Sequence, residues 1–148
     1  MMRVRDVLMS KGGDVATASP SDTLHDAIQD LVKHNIGSLV VAATNGTVVG
    51  IITERDILRE SAKRSDRLKT TLVGDVMTRD VIIGVPDDGI EYVMGIMTRN
   101  RIRHLPVLDE TGLVGIVSIG DVVHAHLSNT QFENRMLKDY IHGVKELA

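Results

Sequence analysis

A chain of 148 residues with 43% hydrophobic and 25% charged residues has the make-up of one globular domain, or of two small halves sharing a core, and is unlike a disordered chain. The formal net charge of -3 argues against a nucleic-acid binder that works by neutralising phosphates, and the absence of cysteine excludes a disulfide frame, a thiol nucleophile and a thiolate metal site. With one phenylalanine, two tyrosines and no tryptophan, an aromatic cage is not how a ligand is held.

In chain order, the opening Met1-Met2-Arg3-Val4-Arg5-Asp6 lacks an apolar stretch of secretory-signal length. The longest apolar runs, such as Leu39-Val40-Val41-Ala42-Ala43, fall far short of the roughly 20 residues that span a bilayer. A cytoplasmic chain with no membrane partner is expected. An extended segment at residues 14–17 leads to Pro20-Ser21-Asp22, which supplies turn and N-cap chemistry. A helix is predicted next, because Leu24, Ala27, Ile28, Leu31 and Val32 recur at i, i+3, i+4, i+7 and i+8. Residues 38–43 and 48–53 are rich in apolar and β-branched side chains, and Asn45-Gly46 between them signals a hairpin. A second helix, carrying Ile57, Leu58 and Ala62, starts just after Thr53.

The same order then returns. After a basic, solvated linker with Lys63, Arg64, Arg67 and Lys69 come an extended segment at residues 81–83, the turn Pro86-Asp87-Asp88 and a helix striped with Ile90, Val93, Met94 and Met97. Strands at 104–108 and 113–118 flank Thr111-Gly112, and a helix follows with Val122, Val123 and Leu127. From residue 128 a separate helical extension is predicted, opened by a Thr130-x-x-Glu133 capping box and striped with Phe132, Met136, Leu137, Tyr140, Ile141 and Val144.

A shift of 66 residues superposes Val15 on Val81, Pro20 on Pro86, Asp22 on Asp88, Ile36 on Ile102, Leu39 on Leu105 and Val41 on Val107. A one-residue deletion brings Gly50-Ile51-Ile52-Thr53 onto Gly115-Ile116-Val117-Ser118 and Asp56 onto Asp121, and a shift of 69 brings Arg5-Asp6-Val7 onto Gly74-Asp75-Val76. The chain is therefore read as repeat 1 (2–62), a linker (63–72), repeat 2 (73–127) and an extension (128–148), each repeat in the order β-α-β-β-α. A unit of about sixty residues buries too little surface alone, so the repeats are expected to pack on each other about a pseudo-twofold axis.

Asp75-Val76-Met77-Thr78, Arg103-His104-Leu105-Pro106-Val107 and Gly115-Ile116-Val117-Ser118-x-x-Asp121, in duplicated order, closely resemble a tandem CBS-domain pair, or Bateman module. The resemblance covers roughly residues 2–127 and implies an α/β module with two clefts between the repeats. It further implies a stand-alone regulatory protein, not an enzyme, that binds an adenosine-containing ligand such as AMP, ADP, ATP, S-adenosylmethionine or NAD(H) and acts on a separate regulated protein; the alternative reading is a structural or protein-interaction module with vestigial nucleotide clefts.

The residues can be read independently. In Thr53-Glu54-Arg55-Asp56 a hydroxyl at a strand end precedes a carboxylate in the first helical turn, and Ser118-Ile119-Gly120-Asp121 repeats this. A carboxylate accepting from vicinal hydroxyls is a common way to hold ribose, and a helix start suits phosphate. The same spacing is also an ordinary capping box. Arg55 is either a phosphate contact or a solvated helix residue, and Gly120 permits close backbone approach. The resemblance implies that Arg103 and His104 lie near phosphates, where repeat 1 has Gly37 and Ser38. Those basic residues also suit a helix end. For adenine the implied contacts are Val15, Ala16 and Thr17, or Val81, Ile82 and Ile83, with Ile36 and Ile102, any of which is equally a core position. His124 and His126, at i and i+2 on a helix, are a poor metal pair, and His25, His34 and His142 read as scattered exposed residues, so no metal is expected. Nothing in the shared residues sets a base beside a nucleophile. The apolar stripe of the extension points to a homodimer or to docking back on the module, with the homodimer favoured.

Overall fold

The computed structural model describes residues 1–12 and 14–147, with side chains as far as Ile141. Val144 of the expected stripe and His142, expected to be exposed, therefore lie outside the described side chains. Repeat 1 contains β1 (Thr17–Ala18), α2 (Leu24–His34), β2 (Ser38–Ala42), β3 (Val48–Thr53) and α3 (Glu54–Arg64), preceded by a helix α1 (Val4–Lys11). A 3-10 turn (Ser65–Arg67) follows. Repeat 2 contains α4 (Val73–Val76), α5 (Ile90–Asn100), β4 (His104–Asp109), β5 (Gly112–Ser118) and α6 (Ile119–Leu147). Strands β1, β2 and β3 form one sheet in that order, with β1 parallel to β2, while β4 and β5 pair antiparallel in a second.

The α2 and α5 helices end alike. Asn35 and Arg101 take left-handed backbone (φ 52° and 54°), and Ile36 and Ile102 donate back to Leu31 and Met97. These C-caps turn the chain directly into β2 and β4.

The strand expected at residues 81–83 does not form. Only Gly84 pairs, parallel to Val107, through hydrogen bonds from Gly84 N to Pro106 O and from Leu108 N to Gly84 O. Extending the ladder backwards would need a donor at Pro106, which has no N–H, whereas Val40 at the matching place in repeat 1 pairs with Thr17.

The helices α1 and α4 were not anticipated, and they are exchanged between the repeats. Val4 and Val7 of α1 enter a core with Ile90, Val93, Met97, Leu105, Val107 and Val117, all of repeat 2. Val73 and Met77 join Leu24, Leu31, Leu39, Ile52 and Ile57 of repeat 1. The tethers match: Val4 N donates to Asp88 O at 2.9 Å and Val73 N to Asp22 O at 2.8 Å, while Arg5 N reaches Pro86 O and Gly74 N reaches Pro20 O. Val4 and Val73 are both fully buried, which at about 1.5–3 kcal/mol per side chain binds each repeat to the other's leading segment.

Two further expectations are corrected. Val32, read as part of the buried stripe of α2, is 75% exposed and Leu58 of α3 is 71% exposed, so both helices leave an apolar flank uncovered. The C-terminal extension is not a separate helix. The 29-residue α6 runs without a break through Ser128, and Thr130 lies within it and not at a cap, because Ser128 and Asn129 tolerate helical backbone and neither glycine nor proline interrupts residues 121–142. At 1.5 Å per residue this helix is roughly 43 Å long.

Candidate functional site

The alternation of β2, β3 and α3 with β4, β5 and α6 brings the starts of β2 and β4 together at the junction of the repeats. A Cβ built on Gly37 would lie 2.7 Å from Glu54 Oε1 and 3.2 Å from His104 Nε2, so only glycine lets the histidine of repeat 2 approach the backbone of repeat 1. Beside this contact opens a cleft of about 600 Å³, lined by residues from both repeats. Val15, Ala16 and Ile36 supply aliphatic walls, while Gly37, Ser38, His104 and Ser118 supply polar groups. No aromatic residue lines it. The three aromatics, Tyr92, Phe132 and Tyr140, are all exposed elsewhere.

Ser118, which lines the cleft, forms a reciprocal cap with Asp121. Ser118 N donates to Asp121 Oδ2 at 2.9 Å and Asp121 N donates to Ser118 Oγ at 3.0 Å. Thr53 and Asp56 do the same at 3.0 and 3.2 Å, and Thr78 Oγ1 also donates to Asp56 Oδ2. The capping reading therefore holds at both places. It does not exhaust the carboxylates, because among the described residues the second oxygen of each accepts no hydrogen bond.

Lys11 enters the same cleft from α1. Its Nζ donates to Asp121 Oδ2 at 2.6 Å and to Ile116 O at 2.8 Å. Burial pushes the Asp121 carboxyl up, but the Lys11 ammonium and the Ser118 amide and hydroxyl outweigh it and hold it below the usual carboxylate range. His104 is lowered from its ordinary value, first by burial and then by the positive charges of Lys11 and Arg103, against the opposing pull of Glu54 and Asp121. It is the neutral imidazole that faces the cleft at pH 7.

Of the residues singled out from the sequence, Val15, Ala16, Ile36, Gly37, Ser38, His104 and Ser118 line this one cleft, with Asp121 tied to it through Lys11. The remainder are elsewhere. Thr53 and Asp56 form the matching cap of α3 beside Thr78, Arg55 is exposed on α3, and Thr17 is exposed on β1. Val81 is half-buried and Ile83 exposed, Ile102 packs against the core of repeat 2, and Arg103 and Gly120 are exposed. Arg103 accounts for one backbone link, its carbonyl accepting from Ile119 N as Gly37 O accepts from Glu54 N. Lys11, Asp14, His34, Asn35 and Ile116 line the cleft and were missed. For Lys11 a signal existed: Val4 and Val7 followed by Lys11 and Gly12 is a helix end with a basic last turn.

A protein-family model described as the CBS domain matches residues 4–63 and 73–128. This chain belongs to the CBS-domain family. It is 40% identical over 148 residues to the mitochondrial CBS domain-containing protein CBSX3 of Arabidopsis thaliana, covering 95% of this chain and 72% of that one. It is 35% identical over 130 residues to the CBS domain-containing protein YhcV of Bacillus subtilis, covering 87% and 89%. Among solved structures, the CBS-domain containing protein ATU1752 from Agrobacterium tumefaciens superposes with a TM-score of 0.81 at 38% identity, over 84% of this chain and 99% of that one. The CBS domain pair of protein MJ0100, solved in complex with 5'-methylthioadenosine and S-adenosyl-L-methionine, superposes with a TM-score of 0.77 at 29% identity, over 87% and 98%. The doubled helix-strand-strand-helix order, α2-β2-β3-α3 and α5-β4-β5-α6, and the CBS assignment agree.

Proposed function

We propose that this CBS pair is a regulatory module that binds a phosphorylated adenosine compound, of the AMP, ATP or NAD(H) kind, between Lys11, His104 and the Ser118-Asp121 cap, and passes occupancy to a separate protein without catalysis of its own. The observation that carries this is one cleft that joins two basic side chains with aliphatic walls and whose Lys11 and Ser118 both bond the Asp121 carboxylate, which keeps one oxygen unused. A carboxylate suits ribose hydroxyls, an ammonium and an imidazole suit phosphate, and Val15 and Ile36 suit the faces of adenine. The adenosine compounds in the MJ0100 pair, which carry no phosphate, support the adenosine part of this reading, and the phosphate part rests on Lys11 and His104. Mass spectrometry of nucleotide carried through purification, followed by calorimetric titration with AMP, ATP and NADH, tests it. Absence of heat at millimolar concentrations of all three overturns it.

Binding should follow pH through His104. A phosphate beside the imidazole raises its depressed pKa, so binding takes up a proton and strengthens as pH falls. AMP affinity is expected to rise by about three- to tenfold from pH 8 to pH 6, before the phosphate itself protonates near its second pKa of about 6. Adenosine, and AMP on His104→Gln, should show no such gain in the same titrations.

The homodimer belongs to this proposal, and its contact is assigned to α6. Residues 131–141 are all exposed, including Phe132, Met136, Leu137, Tyr140 and Ile141, so among the described residues this stretch does not dock back on its own module. A chain ending after Ser128 is expected to elute at the monomer mass in size-exclusion chromatography with light scattering and to keep its nucleotide affinity, while the full chain elutes at twice its chain mass. No helix among the described residues is long and apolar enough to cross a membrane. A cytoplasmic site of action is also part of the proposal, to be checked by cell fractionation, since the Arabidopsis relative is named as mitochondrial.

A further inference from the structure

We infer that Lys11 is an internal stand-in for the ligand: it neutralises Asp121 in the free protein and transfers to the ligand's phosphate when ribose hydroxyls take its place on the carboxylate, which makes this cleft selective for 5'-phosphorylated nucleosides over the bare nucleoside. The inference rests on the nucleotide reading above and names the residue that sets its specificity.

Three observations carry it. First, Lys11 Nζ occupies Asp121 Oδ2 at 2.6 Å while that same oxygen already accepts from Ser118 N, so of two vicinal hydroxyls one finds the unused Oδ1 and the other competes with the ammonium for Oδ2. Second, Lys11 and Asp121 lie 110 residues apart and meet only because α1 packs on repeat 2, with Gly12 in left-handed backbone (φ 97°) next to the lysine and open space around the place of its missing Cβ. The lysine thus sits on a long stem at a helix end and lines the cleft. Third, the two halves differ at this place. The 69-residue shift that aligns α1 with α4 puts Asp80 where Lys11 stands, and among the described residues Asp56 forms no ion pair. Displacing the lysine by an uncharged nucleoside leaves an ammonium without its counter-ion. Displacing it by a nucleotide supplies a new one.

Lys11→Met removes the competitor and the phosphate partner together. Calorimetric or competitive titration should show adenosine binding up to about fivefold tighter than in the unmodified protein, the range of a half-exposed ion pair. AMP should bind about tenfold or more weaker, the range of a lost charge-assisted hydrogen bond. The AMP-to-adenosine preference is therefore expected to fall by more than about tenfold, and Lys11→Arg, which keeps the charge, should restore most of it. Melting temperatures of both variants show whether they are folded, and if the methionine variant is not, Lys11→Gln replaces it. A preference unchanged in the neutral variant while AMP still binds the unmodified protein overturns the role of Lys11 alone. No binding of AMP to the unmodified protein overturns the nucleotide reading and the inference together.

Discussion

Asp121→Ala is expected to weaken nucleotide binding at the Lys11 cleft by roughly 30- to 100-fold, because two charge-assisted hydrogen bonds to vicinal hydroxyls vanish. The same substitution breaks the cap of α6, at a cost of about 1 kcal/mol in stability. The two effects are separable. Ser118→Ala removes one half of the cap and leaves the carboxylate, so it should lower the melting temperature comparably while changing affinity by about threefold or less. Asp121→Asn keeps the shape and should retain most of the stability without the affinity. If Asp121→Ala and Ser118→Ala lose stability alike and both bind AMP as the unmodified protein does, the aspartate is a cap and nothing more. The corresponding Asp56→Ala, measured in parallel, reports whether the half without a lysine contributes to binding.

The second large effect concerns folding. Gly50→Val is expected to destabilise the module by about 2–3 kcal/mol, and Gly115→Val by about 1–2 kcal/mol. Both glycines lie where the exchanged segment crosses the second strand of a hairpin. A Cβ on Gly50 would stand 2.6 Å from Met77 Sδ and 2.8 Å from the Thr78 carbonyl oxygen, and that oxygen is fixed by accepting from Ile51 N at 3.0 Å. A Cβ on Gly115 would stand 2.5 Å from Leu8 Cδ2, the end of a side chain that can rotate away. Backbone cannot yield as a leucine methyl can, hence the ranking. At about 2–4 °C per kcal/mol for a chain of this size, Gly50→Val should melt roughly 4–12 °C lower in calorimetry. A loss under about 0.5 kcal/mol for both in urea titrations would contradict the close crossing.

These glycines illustrate how much of the molecule was legible in advance. Gly50 and Gly115 were recognisable as a repeated position, but their reason was not, because the atoms they accommodate belong to Met77 and Leu8, remote in the chain. Thr53 with Asp56 and Ser118 with Asp121 were legible in full as caps, since a cap needs only residues three apart. The α2 and α5 stripes were legible except at Val32, where helical period marks a residue as apolar without saying whether a neighbour covers it. The strand at 81–83 failed on a partner's chemistry: its own residues favour a strand, but Pro106 across the ladder cannot donate.

Local forces acting over a few residues, hydrophobic period, capping and turn chemistry, set the doubled order of strands and helices, and the CBS resemblance and the aspartate at each second helix start were readable from them. The exchange of α1 and α4, the approach of His104 to Gly37 and the meeting of Lys11 with Asp121 came from burial of Val4 and Val73 in the opposite repeat's core. That burial is a gain available only when both halves are folded and in contact. A site assembled from residues 11, 37, 104 and 121 is therefore a product of packing between repeats, for which no window of sequence carries a signal.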